Sequence, residues 1–312
     1  MKKKVLGGLL AVSMIATMGA FNVSVSAAEK DNADIKIGFS SKDNSDTFVA
    51  AIADAAEAEA KELGVELLMY DAGGDVNKQI SDCETLLAAG VDALVVIPQS
   101  VEGMCVSALT KYSLGNNKEE YCKRGMEILE KSLQLADDLG IRVVMIPGYD
   151  VYYEPSTLET KKRFLKNLKK ASELAEKAGV QLGLETMENE FMNTVEKAMK
   201  YVTLCDSNYL KIYPDIGNLT NAAVSYQSDV LEDMELGRGN LTSLHLKETL
   251  PGRFREVPYG TGHVDFEAAI NKAWNLGVRR FVTEFWYTGN ENWKADIDSA
   301  VGMAKPILEK LS

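Results

Sequence analysis

Cysteine, positive charge and membrane-length apolar runs are all scarce in this chain, and each scarcity removes a class of protein. The 4 cysteines, Cys83, Cys105, Cys122 and Cys205, lie far apart without a Cys-x-x-Cys pair. That spacing gives neither a disulfide framework nor a zinc-finger pattern, so they are expected to be small apolar residues of the core. Lysine and arginine number 34 against 46 acidic residues, and the resulting net charge of −12 repels the phosphates of nucleic acid. Histidine is scarcer still, with 2 residues, His245 and His263. Beyond residue 28 no apolar stretch is long enough to span a bilayer.

What is present fits an enzyme or a binding protein. A chain of 312 residues with 46% apolar content has room for about two domains or one large α/β barrel. Its first residues, Met1-Lys-Lys-Lys, then the apolar run from Val5 to Ala20, then Val25-Ser-Ala-Ala28, have the charged, apolar and small-residue parts of a secretory signal peptide. Cleavage is expected after Ala27 or Ala28, giving a signal over residues 1–28 and an exported protein, periplasmic or extracellular. The alternative is an uncleaved anchor, although Gly7, Gly8, Ser13 and Gly19 interrupt the run.

After the signal one phrase recurs: an amphipathic helix, Leu-Gly or Ala-Gly, then a β-branched residue opening a strand. It occurs at Leu63-Gly64-Val65, Ala89-Gly90-Val91, Leu139-Gly140-Ile141, Ala178-Gly179-Val180 and Leu276-Gly277-Val278. Glycine is favoured just past a helix end, where the backbone turns left-handed. Five such joints predict a parallel (βα)n protein of the α/β class. Between them, Cys122, Met126, Leu129, Leu133, Ala136 and Leu139 form the apolar stripe of a helix over 117–139. Ser156-Thr-Leu-Glu159 reads as a capping box opening the next helix, whose stripe is Phe164, Leu165, Leu168, Ala171, Ala175 and Ala178. Asp265 reads as the cap of a helix running to Leu276. The rhythm fails once. Ala93–Pro98 and Met104–Ala108 both read as strands, yet the five residues between them are too few for a parallel crossover. Either the two belong to different sheets or two unrelated sequences meet there.

Four residues close or follow short apolar strands: Glu185 after Val180–Leu184, Asp215 after Leu210–Pro214, His245 after Leu241–Leu244, and Glu284 after Phe281–Thr283. The steps from 185 to 215, 245 and 284 are each about one strand-plus-helix unit long. A lone strand-end carboxylate is usually a solvated or capping group. Three of them with an imidazole in consecutive units describe a divalent-metal site, and one such set suits Mn²⁺, Zn²⁺, Mg²⁺ or Co²⁺ over Cu(I). Lys247 lies two residues beyond His245 and so on the same face of its strand. Arg253 and Arg255 precede the loop Gly260-Thr-Gly262, whose amides could receive an anion. His263 reads as a loop histidine. Tyr149, Tyr152 and Tyr153 either wall a pocket or cover a strand end, and Trp286 is either core or a stacking surface. Asn218-Leu-Thr and Asn240-Leu-Thr match the glycosylation pattern, a weak signal on its own.

Two stretches resemble known families. Residues 34–100, with Ile35-Lys-Ile-Gly-Phe39, Val65–Asp71, Gln79 and Gly90–Pro98, resemble the first, Rossmann-like lobe of a periplasmic ribose/galactose-type sugar-binding protein. That resemblance places Asp46 and Phe48 at a sugar cleft. It implies, as one alternative for the whole chain, an exported sugar-binding protein of an ABC-type transport system. A chain in which neither half works is the other alternative.

From Met104 onward the chain resembles the L-ribulose-5-phosphate (L-xylulose-5-phosphate) 3-epimerase family of the xylose-isomerase-like TIM-barrel group. The phrases that carry it are Gly148-Tyr-Asp-Val-Tyr-Tyr153, Leu184-Glu-Thr-Met187, Tyr213-Pro-Asp-Ile-Gly-Asn-Leu219, Leu244-His-Leu-Lys-Glu-Thr249, Val257-Pro-Tyr-Gly-Thr-Gly262 with Val264-Asp-Phe266, and Thr283-Glu-Phe-Trp286. The resemblance implies that Glu185, Asp215, His245 and Glu284 bind a divalent metal. It also implies that Glu185 and Glu284 exchange the C3 proton of a ketopentose 5-phosphate through a cis-enediolate. Lys247, Arg253, Asn218, Gly260 and Gly262 would hold substrate or phosphate. A homodimer follows by analogy with the fold group, and the cytoplasmic substrate conflicts with the signal peptide. The expected organisation is a signal at 1–28, a partial binding-protein lobe at 29–101, and at 102–312 an incomplete xylose-isomerase-like TIM barrel lacking its first βα units.

Overall fold

The computed structural model describes residues 31–98, 102–286 and 293–311, the side chains of Phe48, Trp293 and Lys294 excepted. The expected signal peptide lies outside the described residues. Two compact units meet in the chain at residues 101 and 102.

Residues 31–98 alternate β1 (Lys36–Ser41), α1 (Thr47–Leu63), β2 (Glu66–Asp71), α2 (Val76–Ala88) and β3 (Ala93–Val96). All pairing is parallel, in the order β2-β1-β3, with Phe39 opposite Met69 and Val95. Asp75 caps α2 by accepting from the amides of Asn77 and Lys78 at 2.8 and 3.0 Å. Phe39, Val49, Ala53 and Leu86 are buried in this small core.

Residues 102–311 continue with β4 (Gly103–Cys105), α3 (Ala108–Lys111), α4 (Glu119–Asp138), β5 (Val143–Pro147), α5 (Leu158–Ala178), β6 (Gln181–Glu185), α6 (Val195–Cys205) and β7 (Leu210–Tyr213). Then come α7 (Ile216–Tyr226), α8 (Val230–Glu235), β8 (Leu244–Lys247), α9 (Phe266–Asn275), β9 (Phe281–Glu284) and α10 (Trp293–Leu311). Strands β4-β5-β6-β7 form one parallel sheet and β8-β9 a parallel pair. Isolated parallel bridges from Ile212 to Leu241 and from Asp215 to His245 carry the order across from β7 to β8. Six strands therefore follow one another in chain order with helices between them, the connectivity of a βα barrel. At the break in rhythm near residue 100, β3 and β4 belong to different sheets and to different units.

The strands are apolar without alternation because both faces are covered. Every residue of β5 is buried, and Leu182, Leu184, Leu210, Ile212, Leu244 and Leu246 are fully enclosed. Each such leucine contributes about 1.5–3 kcal/mol by leaving water. Leu129 and Leu133 of α4 and Phe164 and Leu168 of α5 complete the packing from the helical side. Gly64, Gly90, Gly140, Gly179 and Gly277, the five joint glycines, all take positive φ between 67 and 93°. A side chain there would strain the turn that sends each helix into the next strand.

Three expectations need correction. The cap of α5 is Thr157 rather than Ser156. Its hydroxyl accepts from Thr160 N while the Thr160 hydroxyl accepts from Thr157 N, so the reciprocal pair is Thr157 with Thr160. Ser156 instead donates to the buried carboxylate of Asp150. Leu139 is not in the α4 stripe but is 55% exposed beyond the helix end, and Gly125 fills the stripe against the carbonyl of Tyr112. Of the cysteines only Cys122 is buried; Cys105 is exposed on β4, and Cys83 and Cys205 are half-buried on helices.

Candidate metal centre

The C-terminal ends of β6, β7, β8 and β9 bring Glu185, Asp215, His245 and Glu284 together. One donor atom from each lies within 4.8 Å of the other three. Glu185 and Glu284 are the last residues of β6 and β9. Asp215 follows β7 and caps α7, its Oδ1 accepting from Asn218 N at 2.9 Å, which leaves Oδ2 for the centre. Thr186 fixes this corner by accepting from Asp215 N at 2.9 Å, and its carbonyl accepts from Asn218 Nδ2 at 2.9 Å. His245 N donates to Pro214 O at 2.9 Å, which sets the depth of the imidazole. The Tyr213 ring packs against that imidazole at 4.7 Å.

The donors suit a cation on geometric grounds. His245 Nδ1 is 2.9 Å from Glu185 Oε1, 2.8 Å from Glu284 Oε2 and 4.0 Å from Asp215 Oδ2. Despite these distances, His245 Nδ1, Glu284 Oε2 and Asp215 Oδ2 are buried atoms without a contact of hydrogen-bond geometry. Donor atoms gathered this closely and left without hydrogen bonds are an arrangement that a metal can satisfy. Opposite donors around a cation stand about 4–5 Å apart, twice a metal–oxygen bond of about 2.1–2.5 Å, which matches the spread here. Oxygen-rich ligands with one imidazole favour Mg²⁺, Mn²⁺, Co²⁺ or Zn²⁺.

The electrostatics follow from crowding three carboxylates in a buried place. Burial pushes the Asp215 carboxyl up to about 7, against the pull of Lys247. For His245 burial works downward, yet Glu185 and Glu284 hold the imidazole up at about 10. Burial would raise Glu284, but His245 and Lys247 hold it down at about 2. Lys247 Nζ is 2.6 Å from Asp215 Oδ2, an ion pair lying off the hydrogen-bond direction, and 3.9 Å from Glu284 Oε1. Burial lowers the ammonium's proton affinity while Asp215 and Glu284 raise it, and the net direction is upward. The lysine thus neutralises part of the carboxylate charge from inside the centre.

Other expected site residues fall differently. Asn218 is a buried strut of the α7 cap. Arg253 turns onto its own loop, donating to the carbonyls of Arg255 and Glu256 at 3.2 and 2.7 Å. Gly260 N donates to Glu248 Oε2 at 3.0 Å, and a Cβ on Gly262 would stand 2.2 Å from Glu248 Oε1. A carboxylate therefore takes the Gly260 amide that was expected to meet an anion. His263 Nε2 lies 3.0 Å from Thr249 Oγ1 in the same loop. In the other unit, Asp46 Oδ2 is 3.7 Å from Lys42 Nζ at the start of α1, and the side chain of Phe48 lies outside the described residues.

The rim was only partly foreseen. Tyr149 is buried and donates to Glu188 Oε2, while Tyr153 is 76% exposed. Burial and the Glu188 charge push the Tyr149 phenol far upward, so it stays a donor. Arg255 donates to Glu188 Oε1 at 3.1 Å and to Tyr152 Oη at 3.4 Å. Lys247 Nζ and Arg255 Cζ both stand over the Trp286 ring, 5.5 and 5.6 Å from its centre. Thr186, Glu188 and Glu248 were missed, although each sits within three residues of a metal-site residue or of Lys247.

Comparison with known proteins agrees with this geometry. Residues 58–305 match the family described as Xylose isomerase-like TIM barrel, a span that begins inside α1. The chain is 34% identical over 254 residues to L-ribulose-5-phosphate 3-epimerase UlaE of Escherichia coli strain SMS-3-5 / SECEC, covering 80% of this chain and 88% of that protein. It is 35% identical over 221 residues to the protein of the same name from Shigella flexneri, covering 70% and 76%. Among solved structures, an L-ribulose 3-epimerase superposes with a TM-score of 0.52 over 88% of this chain and 95% of that one, at 19% identity. The 3-keto-D-glucoside 4-epimerase YcjR from E. coli gives 0.56 over 87% and 99%, at 18% identity, a likeness of fold alone.

Proposed function

The chain belongs to the xylose isomerase-like TIM-barrel family, and from that premise we propose that it is a divalent-metal-dependent sugar epimerase. Its substrate in this reading is a ketopentose 5-phosphate, L-ribulose 5-phosphate or L-xylulose 5-phosphate, inverted at C3. The single observation that carries the reading is the convergence of Glu185, Asp215, His245 and Glu284, with buried atoms of Asp215, His245 and Glu284 unmet by hydrogen bonds. The 34–35% identity to L-ribulose-5-phosphate 3-epimerases supports the substrate class. The family match starts at residue 58 and runs through the segment that resembles a sugar-binding lobe, which favours the enzyme over a transport-binding protein.

The four side chains would hold the cation. Such a cation supplies electrostatic stabilisation of the negative charge that builds on the ketose oxygens as the C3 proton leaves. The chain's own part is proton transfer. Glu185 and Glu284 flank the imidazole from strands β6 and β9. One removes the proton and the other returns one to the opposite face, which is what inversion requires. Positioned acid–base groups of this kind contribute about 10²–10⁴-fold. Lys247, 2.6 Å from Asp215 Oδ2, favours the ionised form of that carboxyl against the opposing effect of burial. Arg255, at the rim above Trp286, exchanges Glu188 for the substrate's phosphate.

The finer organisation belongs to the same proposal: a partial Rossmann-like lobe at 29–101, a barrel domain at 102–312 lacking its first βα units, and two copies pairing as a dimer. Export directed by residues 1–28 is also proposed, against the cytoplasmic origin of sugar phosphates. Cell fractionation with N-terminal sequencing decides it, since a cytoplasmic protein retaining Met1 would end that part. The test of function is proton exchange in D₂O with Mn²⁺, followed by NMR. Deuterium at C3 together with the other epimer is expected, and a soluble, metal-loaded protein that exchanges nothing refutes the substrate assignment.

A further inference from the structure

Glu284 sits at the end of β9, and among the described residues β9 is hydrogen-bonded to a strand on one side only, through β8. A metal ligand and proton donor on an edge strand needs another fastening. Tyr259, from the loop before α9, supplies one. Its one hydroxyl proton is shared between two carbonyls, Leu246 O of β8 and, at 3.2 Å, Glu284 O of β9, so one side chain spans the ends of both strands. The ring is held against Phe266 at 5.3 Å. The loop is gathered in turn by the buried carboxylate of Glu248, which accepts from Thr249 N at 3.1 Å, Gly260 N at 3.0 Å and Val264 N at 3.2 Å. With Oε1 only 2.2 Å from where a Gly262 Cβ would stand, the loop has no slack around that carboxylate.

We propose that Tyr259 and Glu248 are positioning residues for Glu284: Glu248 fixes the 259–264 loop, and the loop's Tyr259 hydroxyl clamps the carbonyl of Glu284 to β8. The inference rests on the reading of Glu284 as a metal ligand and proton-transfer group. Outer contacts of this kind typically weaken metal affinity or activity by about 10–100-fold when removed.

The test uses the full chain and three variants, Tyr259→Phe, Glu248→Gln and the pair, with Tyr226→Phe as a control. The Tyr226 hydroxyl serves Lys197 and Asn193. Calorimetric titration with Mn²⁺ is read first, and kcat and KM at saturating Mn²⁺ second. Tyr259→Phe is expected to bind Mn²⁺ about 10–100-fold more weakly and to lose kcat with KM held. Glu248→Gln is expected to change in the same direction, and the double variant to be no weaker than Tyr259→Phe. A folded Tyr259→Phe with wild-type Mn²⁺ affinity overturns the clamp, and multiplying losses in the double variant overturn the route through Glu248. Should Tyr259→Phe fail to fold, unchanged affinity in the near-isosteric Glu248→Gln overturns the proposal by itself. Wild-type protein that binds Mn²⁺ without turnover refutes the epimerase reading instead, and the clamp then stands or falls on Kd alone.

Discussion

Replacing Lys247 by methionine isolates the energetic problem at the centre. The substitution keeps most of the side-chain volume and removes the ammonium 2.6 Å from Asp215 Oδ2. Both partners are enclosed, with side-chain exposures of 6% and 0%, so solvent does not screen the loss. Breaking a buried ion pair by deleting one member costs about 3–5 kcal/mol, because the remaining charge is left uncompensated. For a unit of this size, about 2–4 °C of melting temperature per kcal/mol gives a fall of roughly 6–20 °C in EDTA. Added Mn²⁺ should recover more in the variant than in the wild type, since a cation replaces the lost charge and no longer competes with the lysine. Trp274, Trp286 and Trp293 are the chain's 3 tryptophans, so their fluorescence follows the unit beginning at residue 102. A variant that melts with the wild type in EDTA, or gains no more from Mn²⁺, refutes the assignment of Lys247 as internal counter-charge.

Glu185→Gln and Glu284→Gln should each lower kcat by at least about 10²-fold, measured by C3 proton exchange with Mn²⁺ in excess. Arg255→Gln should raise KM for a sugar phosphate about tenfold or more while leaving kcat near wild type, because a rim contact to phosphate serves binding rather than proton transfer. Steady-state kinetics decides this, and an unchanged KM removes Arg255 from the phosphate site. Gly148→Ala would place a Cβ 2.2 Å from Glu185 O and 2.6 Å from Met192 Cγ, so β6 must shift. A loss of about 1–3 kcal/mol with weakened Mn²⁺ binding is expected from denaturant titration and calorimetry.

Much of the centre was legible because its chemistry coincides with strand ends. Apolar runs such as Leu210–Tyr213 mark the strands, and the first polar residue able to bind a metal marks the mouth. The helix-to-strand joints were legible for a local reason, since a positive φ after a helix calls for glycine. What failed depended on distant neighbours. Gly260 suggested an anion site, but only the fold reveals that its amide donates to Glu248. Arg253 and Arg255 look equivalent in sequence, yet one turns back onto its loop and the other reaches Glu188. The capping box lay one residue on because Asp150, folded beneath α5, takes the Ser156 hydroxyl. The segment at 34–100 read as a sugar-binding lobe from its local phrases, whereas the family match enters it at residue 58.

The central claim is that Glu185, Asp215, His245 and Glu284 hold one divalent cation. Titrating metal-free protein with Mn²⁺, followed by electron paramagnetic resonance of the free ion, tests it most directly. The account predicts one tight site per chain that disappears in Asp215→Asn, and a folded chain that leaves all Mn²⁺ free would contradict it.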